Sequence, residues 1–109
     1  MNYLYLNTEA GRAEELIPSM SYRALLENLG RLTELGVIAS ENPVTMLVAA
    51  RLLDRRRIQR SGVRAAELRA ALAAYNIGRT KVPGVVKALE RAAEIASEYE
   101  GQAAAYGAR

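Results

Sequence analysis

The chain contains no cysteine and no histidine. The first absence excludes disulfide bonds, thiolate metal sites and cysteine nucleophiles. The second removes the usual metal ligand and the usual general base near neutral pH. We therefore expect no zinc site, no histidine-based catalytic triad, no metal and no cofactor. Aromatic residues are also scarce, since the 109 residues include six tyrosines but neither phenylalanine nor tryptophan.

Long hydrophobic runs are missing as well. No apolar stretch approaches the roughly 20 residues that span a bilayer, and residues 1–6 lack the basic and apolar regions of a secretion signal. The sequence therefore predicts a cytoplasmic protein without a membrane partner. Half of the residues are hydrophobic and a quarter are charged, which is the balance of a globular chain. The length is that of one domain, which we assign to residues 1–109.

Helix-forming residues dominate the sequence, and the spacing of apolar residues is helical almost throughout. We expect an all-α fold of about five helices. Pro18 ends the first helix, and Gly36 and Gly78 stop the second and fourth. Pro43, after the cap residue Asn42, begins the third helix, and Pro83 begins the fifth. The predicted spans are 8–17, 21–35, 43 to about 54, 63–77, and 83 to about 100.

Short connections between these helices favour antiparallel hairpins, and 21–54 and 63–100 have the lengths of two α-solenoid units. In the third helix, the predicted buried stripe consists of Met46, Leu47, Ala50 and Leu53. This helix is expected to fray into the arginines at 55–57, and a loop is expected over 59–62. Gly30, inside the second helix, indicates an early break or a close contact with another helix.

Positive charge is concentrated in one short stretch. The net charge is +3, but residues 51–64 hold six arginines against the single acidic residue Asp54. This excess favours an anionic partner, while a solvated, arginine-rich helix end explains the same pattern without one. The arginines at 55, 56, 57 and 60 cannot all face one way on a helix. A frayed end and a loop would let several of them reach a phosphate backbone, together with Arg64.

Residues suited to catalysis are few. Glu90 and Glu94 lie one helical turn apart, a spacing typical of a solvated helix face, and the sequence has no glycine-rich phosphate loop. Arg79 and Lys81 lie just before the helix that begins at Pro83, where backbone N–H groups favour anions. A phosphate of a nucleic acid fits there better than a nucleotide. We therefore expect no enzyme activity.

One segment carries a family motif. The run Ala24-Leu25-Leu26-Glu27-Asn28-Leu29-Gly30-Arg31-Leu32-Thr33 resembles the TROVE module of the Ro ribonucleoprotein family. In that family, Ala-Leu-Leu-x-Asn-Leu-Gly precedes a basic residue, an apolar residue and threonine. A second, weaker match comprises Val63-Arg64-Ala65, Ala71-Leu72-Ala73-Ala74-Tyr75 and Gly78, in which Arg64 and Ala65 replace the family's histidine and proline. The resemblance covers roughly residues 13–95.

The resemblance implies a HEAT-like helical-repeat protein that binds small non-coding or misfolded RNA. The chain matches only the late part of the family's repeat region and lacks the Asp-x-Ser-x-Ser motif of its von Willebrand A-like domain. Completion of a ring would then need further copies of this chain or a complementary protein fragment. The alternative is an oligomerisation or protein-interaction module that keeps the fold without binding RNA. The candidate RNA-binding residues are Arg31, as the motif's basic residue, with Arg55, Arg56, Arg57, Arg60, Arg64, Arg79 and Lys81.

Overall fold

The computed structural model describes residues 15–107, with side chains described up to Ala103. In this range, a short 3-10 turn at Ile17–Ser19 precedes five α-helices, and no strand is present. The helices are α1 (Tyr22–Glu34), α2 (Val44–Leu52), α3 (Arg55–Ser61), α4 (Ala65–Asn76) and α5 (Pro83–Gly107). The predicted all-α fold is thus confirmed for the described residues.

The predicted first helix, 8–17, lies mostly outside these residues. Residues 15 and 16 are helical and lead directly into the 3-10 turn that contains Pro18. None of the helices between residues 15 and 107 is both long and apolar enough to cross a membrane.

Helix α1 matches its predicted span to within one residue at each end. It begins after Ser21, whose hydroxyl oxygen accepts a hydrogen bond from the backbone N–H of Ala24 at 3.1 Å. It ends before Gly36, which has a φ of +79° that favours glycine. The helix passes through Gly30 without a break, and a Cβ atom there would meet nothing within 4 Å among the described residues. The predicted break is therefore wrong, and no described helix makes the predicted close contact.

The start of α2 was predicted correctly, but its buried face was not. The side-chain oxygen of Asn42 accepts a hydrogen bond from Val44 N–H at 3.0 Å. The helix buries Thr45, Val48 and Leu52, whereas Met46 is 79% exposed. Since α2 is apolar on most sides, spacing alone does not select its inner face. Thr45 is buried because its hydroxyl donates to the carbonyl oxygen of Ala39 and accepts from the N–H of the same residue.

Helix α3 corrects the prediction of a frayed end and a loop. Asp54 caps it, with Oδ1 accepting hydrogen bonds from the N–H groups of Arg56 at 3.0 Å and Arg57 at 3.3 Å. The single apolar residue Ile58 is buried in the core. The helix continues to Ser61 and ends at Gly62, which has a φ of +69°. The cap by Asp54 and the burial of Ile58 therefore stabilise a helix in the arginine-rich segment for which fraying and a loop were predicted.

The hydrophobic core is centred on α5, which packs against α4, α2 and α3. The predicted apolar face of α5 is confirmed, since Val85, Leu89 and Ala92 are buried and Tyr99 is partly buried. Helix α1 packs mainly against α4 and α3 rather than against α2. Burial of each large aliphatic side chain contributes roughly 2 kcal/mol. Those with almost no exposed surface include Ile17, Leu25, Leu29, Leu32, Leu52, Ile58, Leu68 and Leu89.

Two buried tyrosine hydroxyls connect separate elements of this core. Tyr22 donates a hydrogen bond to the carbonyl oxygen of Leu52 at 2.6 Å, and burial raises the pKa of Tyr22. The hydroxyl of Tyr75 lies 3.0 Å from Thr33 Oγ1 and accepts a hydrogen bond from Val82 N–H at 3.0 Å. Thr33 donates its own proton to the carbonyl oxygen of Leu29, so Tyr75 is the donor toward Thr33. Tyr75 thus joins α1, α4 and the segment that enters α5.

Candidate nucleic-acid interface

The ordered helix α3 distributes its arginines over two sides. Residues four apart lie on the same face of a helix, so Arg56 and Arg60 project together, with Arg57 beside them. These three line a groove between α3 and the start of α1. Arg55 instead extends toward α5, where its Nη1 lies 3.1 Å from Glu98 Oε1. The sequence-based statement that these four arginines cannot all face one way is confirmed.

We call the first of these surfaces the arginine groove. It has a volume of about 490 Å³. Its lining residues are Ser21, Tyr22, Arg23, Asp54, Arg56, Arg57, Arg60 and Ser61. The groove therefore collects three of the eight sequence-predicted RNA-binding residues, together with a fourth arginine, Arg23, that was not among those eight.

Two of the four groove arginines are held by carboxylates. Arg23 pairs with Glu67 of α4 through both terminal nitrogens, at 2.5 and 3.5 Å. Its hydrogen bond to Glu67 raises the pKa of Arg23, and the same contact, followed by the backbone N–H of Arg64, lowers the pKa of Glu67. Arg57 forms an ion pair with Asp54, in which Nε lies 3.5 Å from Oδ2.

The other two groove arginines, Arg56 and Arg60, are exposed. Neither forms an ion pair with any residue between 15 and 103. A guanidinium group offers five N–H donors in a planar fork that matches a phosphate group. Arg56 and Arg60 are therefore the two members of the groove with the most unused capacity for an anionic ligand.

On the α5 side, the predicted RNA-binding residues Arg55 and Arg64 are engaged within the fold. The ion pair with Glu98 raises the pKa of Arg55. Arg64 Nη2 lies 3.1 Å from Glu100 Oε1, and Glu100 Oε2 accepts a hydrogen bond from Ala65 N–H at 2.6 Å. Glu100 therefore binds both the backbone and the side chain at the start of α4, which gives Arg64 a structural contact.

Three further predicted residues lie outside the arginine groove. Lys81 donates a hydrogen bond from Nζ to the carbonyl oxygen of Asn76 at 2.5 Å, at the end of α4. Arg79 is exposed in the connection between α4 and α5. Arg31 is half-buried beside a second groove, between α1 and α4, and already has an interaction within the chain. The structure therefore does not bring all eight predicted residues to one surface.

The local sequence contains no signal for Arg23 as a member of the site. It lies about 30 residues before α3, in the first turn of α1, and reaches the groove only through the packing of α1 against α3. The start of α1 is fixed locally by Ser21, but its position beside α3 follows from the core. This residue is thus a product of tertiary structure that residue spacing does not reveal.

Tyr22 and Tyr75 do not offer an exposed ring for base stacking. Tyr22 lines the groove but is only 5% exposed, and Tyr75 is equally buried. The predicted core role of both residues is confirmed. Stacking needs an accessible aromatic face or guanidinium plane, so the groove presents charge and hydrogen-bond donors rather than an aromatic platform.

Acidic side chains do not form a further site in the described part of the chain. No group of three or more of them there is arranged to hold a metal ion. Glu94 forms an ion pair with Arg91 at 2.8 Å, consistent with the solvated helix face predicted for Glu90 and Glu94.

Comparison with known proteins gave no relative: no protein-family model, no curated protein and no solved structure matches the chain.

Proposed function

We propose that the protein is an RNA-binding helical module, and that the arginine groove is its main contact with the phosphate backbone. The observation that carries this proposal is the convergence of Arg23, Arg56, Arg57 and Arg60 on one groove. Arg23 and Arg57 pair with Glu67 and Asp54, whereas Arg56 and Arg60 have no ion-pair partner among the described residues. Binding a ligand, rather than catalysis, is the role that this arrangement supports.

The chemistry of the groove favours phosphate contacts over base recognition. One arginine side chain can donate two parallel hydrogen bonds to two oxygens of a phosphate group, and such contacts give affinity without recognising the base sequence. The preference for RNA, and for small non-coding RNA in particular, rests on the TROVE resemblance of residues 24–33 and on no feature of the groove. Single-stranded and structured RNA are both candidate ligands.

The proposal includes a single HEAT-like unit over residues 1–109. The contact between Ala65 and Glu100 and the one between Tyr75 and Val82 support an antiparallel arrangement of α4 and α5. A cytoplasmic location and the completion of a ring by further copies or by a complementary fragment stay predictions. Microscopy of the tagged chain and its solution mass would test them.

Fluorescence anisotropy with a 20-nucleotide single-stranded RNA tests the proposed function. We expect binding that weakens between about 50 and 200 mM salt, with a slope of log affinity against log salt near −3 for about four neutralised phosphates. The double variant Arg56→Gln/Arg60→Gln should reduce the size of that slope by about 1.4. Duplex RNA and single-stranded DNA of the same length measure the preference for RNA.

The matched control is Arg55→Gln/Arg64→Gln. It removes the same charge from the same stretch, but from arginines that face Glu98 and Glu100. We expect it to retain most of the salt dependence of the unmodified protein. Equal losses in both double variants would show that only net charge matters, and absence of RNA binding at 50 mM salt would exclude the proposed function.

A second candidate is an assembly module that has no affinity for RNA. Met46, which is 79% exposed, and Ile77, which is 87% exposed, are large apolar side chains that such a module would have available for contact with a partner. This candidate predicts an oligomer or a partner complex that is indifferent to replacing Arg57, Arg60 and Arg64 by glutamate. Measurement of the solution mass of that triple variant distinguishes the two candidates.

A further inference from the structure

The charge balance of the arginine groove matches one doubly charged ligand group. Of its four guanidinium groups, Arg23 is neutralised by Glu67 and Arg57 shares the carboxylate of Asp54. Arg56 and Arg60 have no such counter-charge among the described residues. The two positive charges of Arg56 and Arg60 match in number the two negative charges of a phosphomonoester above its second pKa, near 6, whereas an internal phosphodiester carries only one.

The donors in the groove also fit a phosphate group without an attached base. Asp54 Oδ1 caps α3, and Ser61 donates its hydroxyl proton to the carbonyl oxygen of Ile58 at 2.8 Å, so these groups are already used. The ring of Tyr22 is buried, and its hydroxyl donates to Leu52. The guanidinium groups are therefore the main donors, and they match three terminal phosphate oxygens better than the face of a base.

We infer that the arginine groove is a site for a phosphomonoester group, held chiefly by Arg56 and Arg60, with Arg57 and Arg23 at its edges. The inference rests on the proposed function where the phosphate is the terminal phosphate of an RNA. The same chemistry would bind a free phosphate, and the experiment separates the two sources.

The composition of the chain makes this inference testable by pH. The groups that face the site are the four arginines, Asp54 and, through Arg23, Glu67 of α4 and Glu27 of α1. In general, guanidinium and carboxyl groups have ordinary pKa values well outside the range from pH 5.5 to 7.5. Because the chain has no histidine and no cysteine, none of its side chains titrates near pH 6 in the ordinary way. A change across this range in the affinity difference between phosphate-ended and hydroxyl-ended RNA therefore reports the ligand's second ionisation.

The first arm of the experiment compares 20-nucleotide RNAs of one sequence with a hydroxyl at both ends, a 5′-phosphate or a 3′-phosphate. Anisotropy is measured at 200 mM salt, at pH 7.5 and 5.5. We expect a terminal phosphate to tighten binding by about tenfold at pH 7.5, from the strength of charge-assisted hydrogen bonds. That advantage should shrink at pH 5.5 and disappear in Arg56→Gln/Arg60→Gln, but persist in Arg55→Gln/Arg64→Gln.

The second arm titrates inorganic phosphate into the ¹⁵N-labelled protein and follows the backbone amides of α3 by NMR. Shifts confined to α3 and the start of α1, and weaker at pH 5.5, would support the site even if the three RNAs bind equally, and would identify free phosphate as the source. Equal binding of the three RNAs together with no phosphate-induced shift would overturn the inference while leaving the proposed function intact. Phosphate shifts without any RNA binding would exclude the proposed function but support the site.

Discussion

On the α5 side of α3, Arg55 reaches Glu98 and Arg64 reaches Glu100, whereas on the opposite side Arg56 and Arg60 face a groove without an acidic partner among the described residues. The two sides share the amino acid, the segment and the local density of charge. They differ in what the neighbouring helix presents, because α5 presents glutamates to one side and α1 presents Ser21 and Arg23 to the other. The number of arginines in a stretch of sequence therefore does not by itself indicate how many of them can bind an anionic ligand.

The difference also separates stability from ligand binding. Glu100 ties the α5 side to the backbone at the start of α4, so a change there should alter folding. The groove side has exposed guanidinium groups that contribute little packing, so a change there should alter affinity. Three experiments, in order of decreasing effect, test whether the two sides are as separate as the geometry indicates.

The largest effect is expected from Glu100→Ala. Loss of this carboxylate leaves the N–H of Ala65 without its acceptor at the start of α4, which is comparable to the loss of a helix cap and costs about 1 to 2 kcal/mol of unfolding free energy. Urea denaturation measures the loss. Glu98→Ala is the control, because the ion pairs of Glu98 among the described residues are with the side chains of Arg55 and Arg91, and its effect should be smaller. Equal effects would mean that the backbone contact is not what stabilises this side.

The second effect concerns the groove alone. Ser21→Asp keeps an acceptor for Ala24 N–H, so α1 stays capped, but it places a negative charge among the groove arginines. We expect RNA affinity at 50 mM salt to fall by about threefold, because the added carboxylate weakens the attraction between the groove arginines and phosphate. The effect is modest because the dielectric constant at a protein surface is high. Unfolding free energy should stay unchanged or rise slightly, since aspartate is favourable at a helix start.

Ser21→Asn is the control for this experiment, because asparagine also caps the helix and carries no charge. Anisotropy should show RNA affinity equal to that of the unmodified protein. A loss of affinity in both variants would indicate that the serine hydroxyl, rather than the added charge, matters at the groove.

The smallest effect is the acid response of Glu67, which links the two sides by contacting both Arg23 and the N–H of Arg64. Its pKa is lowered in the folded protein, so its contribution to stability is present above its ordinary pKa and is lost as pH falls through the lower, folded value. Glu67→Gln should therefore flatten the decline in unfolding free energy below about pH 5. Glu90→Gln, an exposed carboxylate, is the reference, and superimposable curves for the two variants would contradict the assignment.

Elements with strong local signals were predictable from the sequence, and those that depend on tertiary packing were not. Ser21 and Gly36 defined α1 because cap and stop residues act locally. The buried face predicted for α2 was wrong because nearly every side of that helix is apolar. The hydrogen bond from the Thr45 hydroxyl to Ala39 places the Thr45 side of the helix toward the core. The cap residue of α3, Asp54, was present in the sequence but was outweighed by the charge of the arginines that follow it.

The candidate site shows the same division. The sequence was sufficient to identify the arginine-rich stretch and to predict that its arginines cannot all project from one face of a helix. It did not separate Arg55 and Arg64 from the others, because their partners lie 43 and 36 residues away in the chain, with no local spacing to indicate them. Arg23 was missed for the same reason. RNA binding and the TROVE resemblance stay predictions.

The hydroxyl of Tyr75 has a consequence for how the protein comes apart. The N–H of Val82 is bound to this buried hydroxyl, which also donates to Thr33 in α1, so the amide meets solvent only when Tyr75 moves away from it. The amide hydrogen of Val82 should consequently exchange with solvent at the rate of the slowest amides in the core, although it lies outside any helix. A single phenol would then make the loop before α5 a reporter of cooperative unfolding.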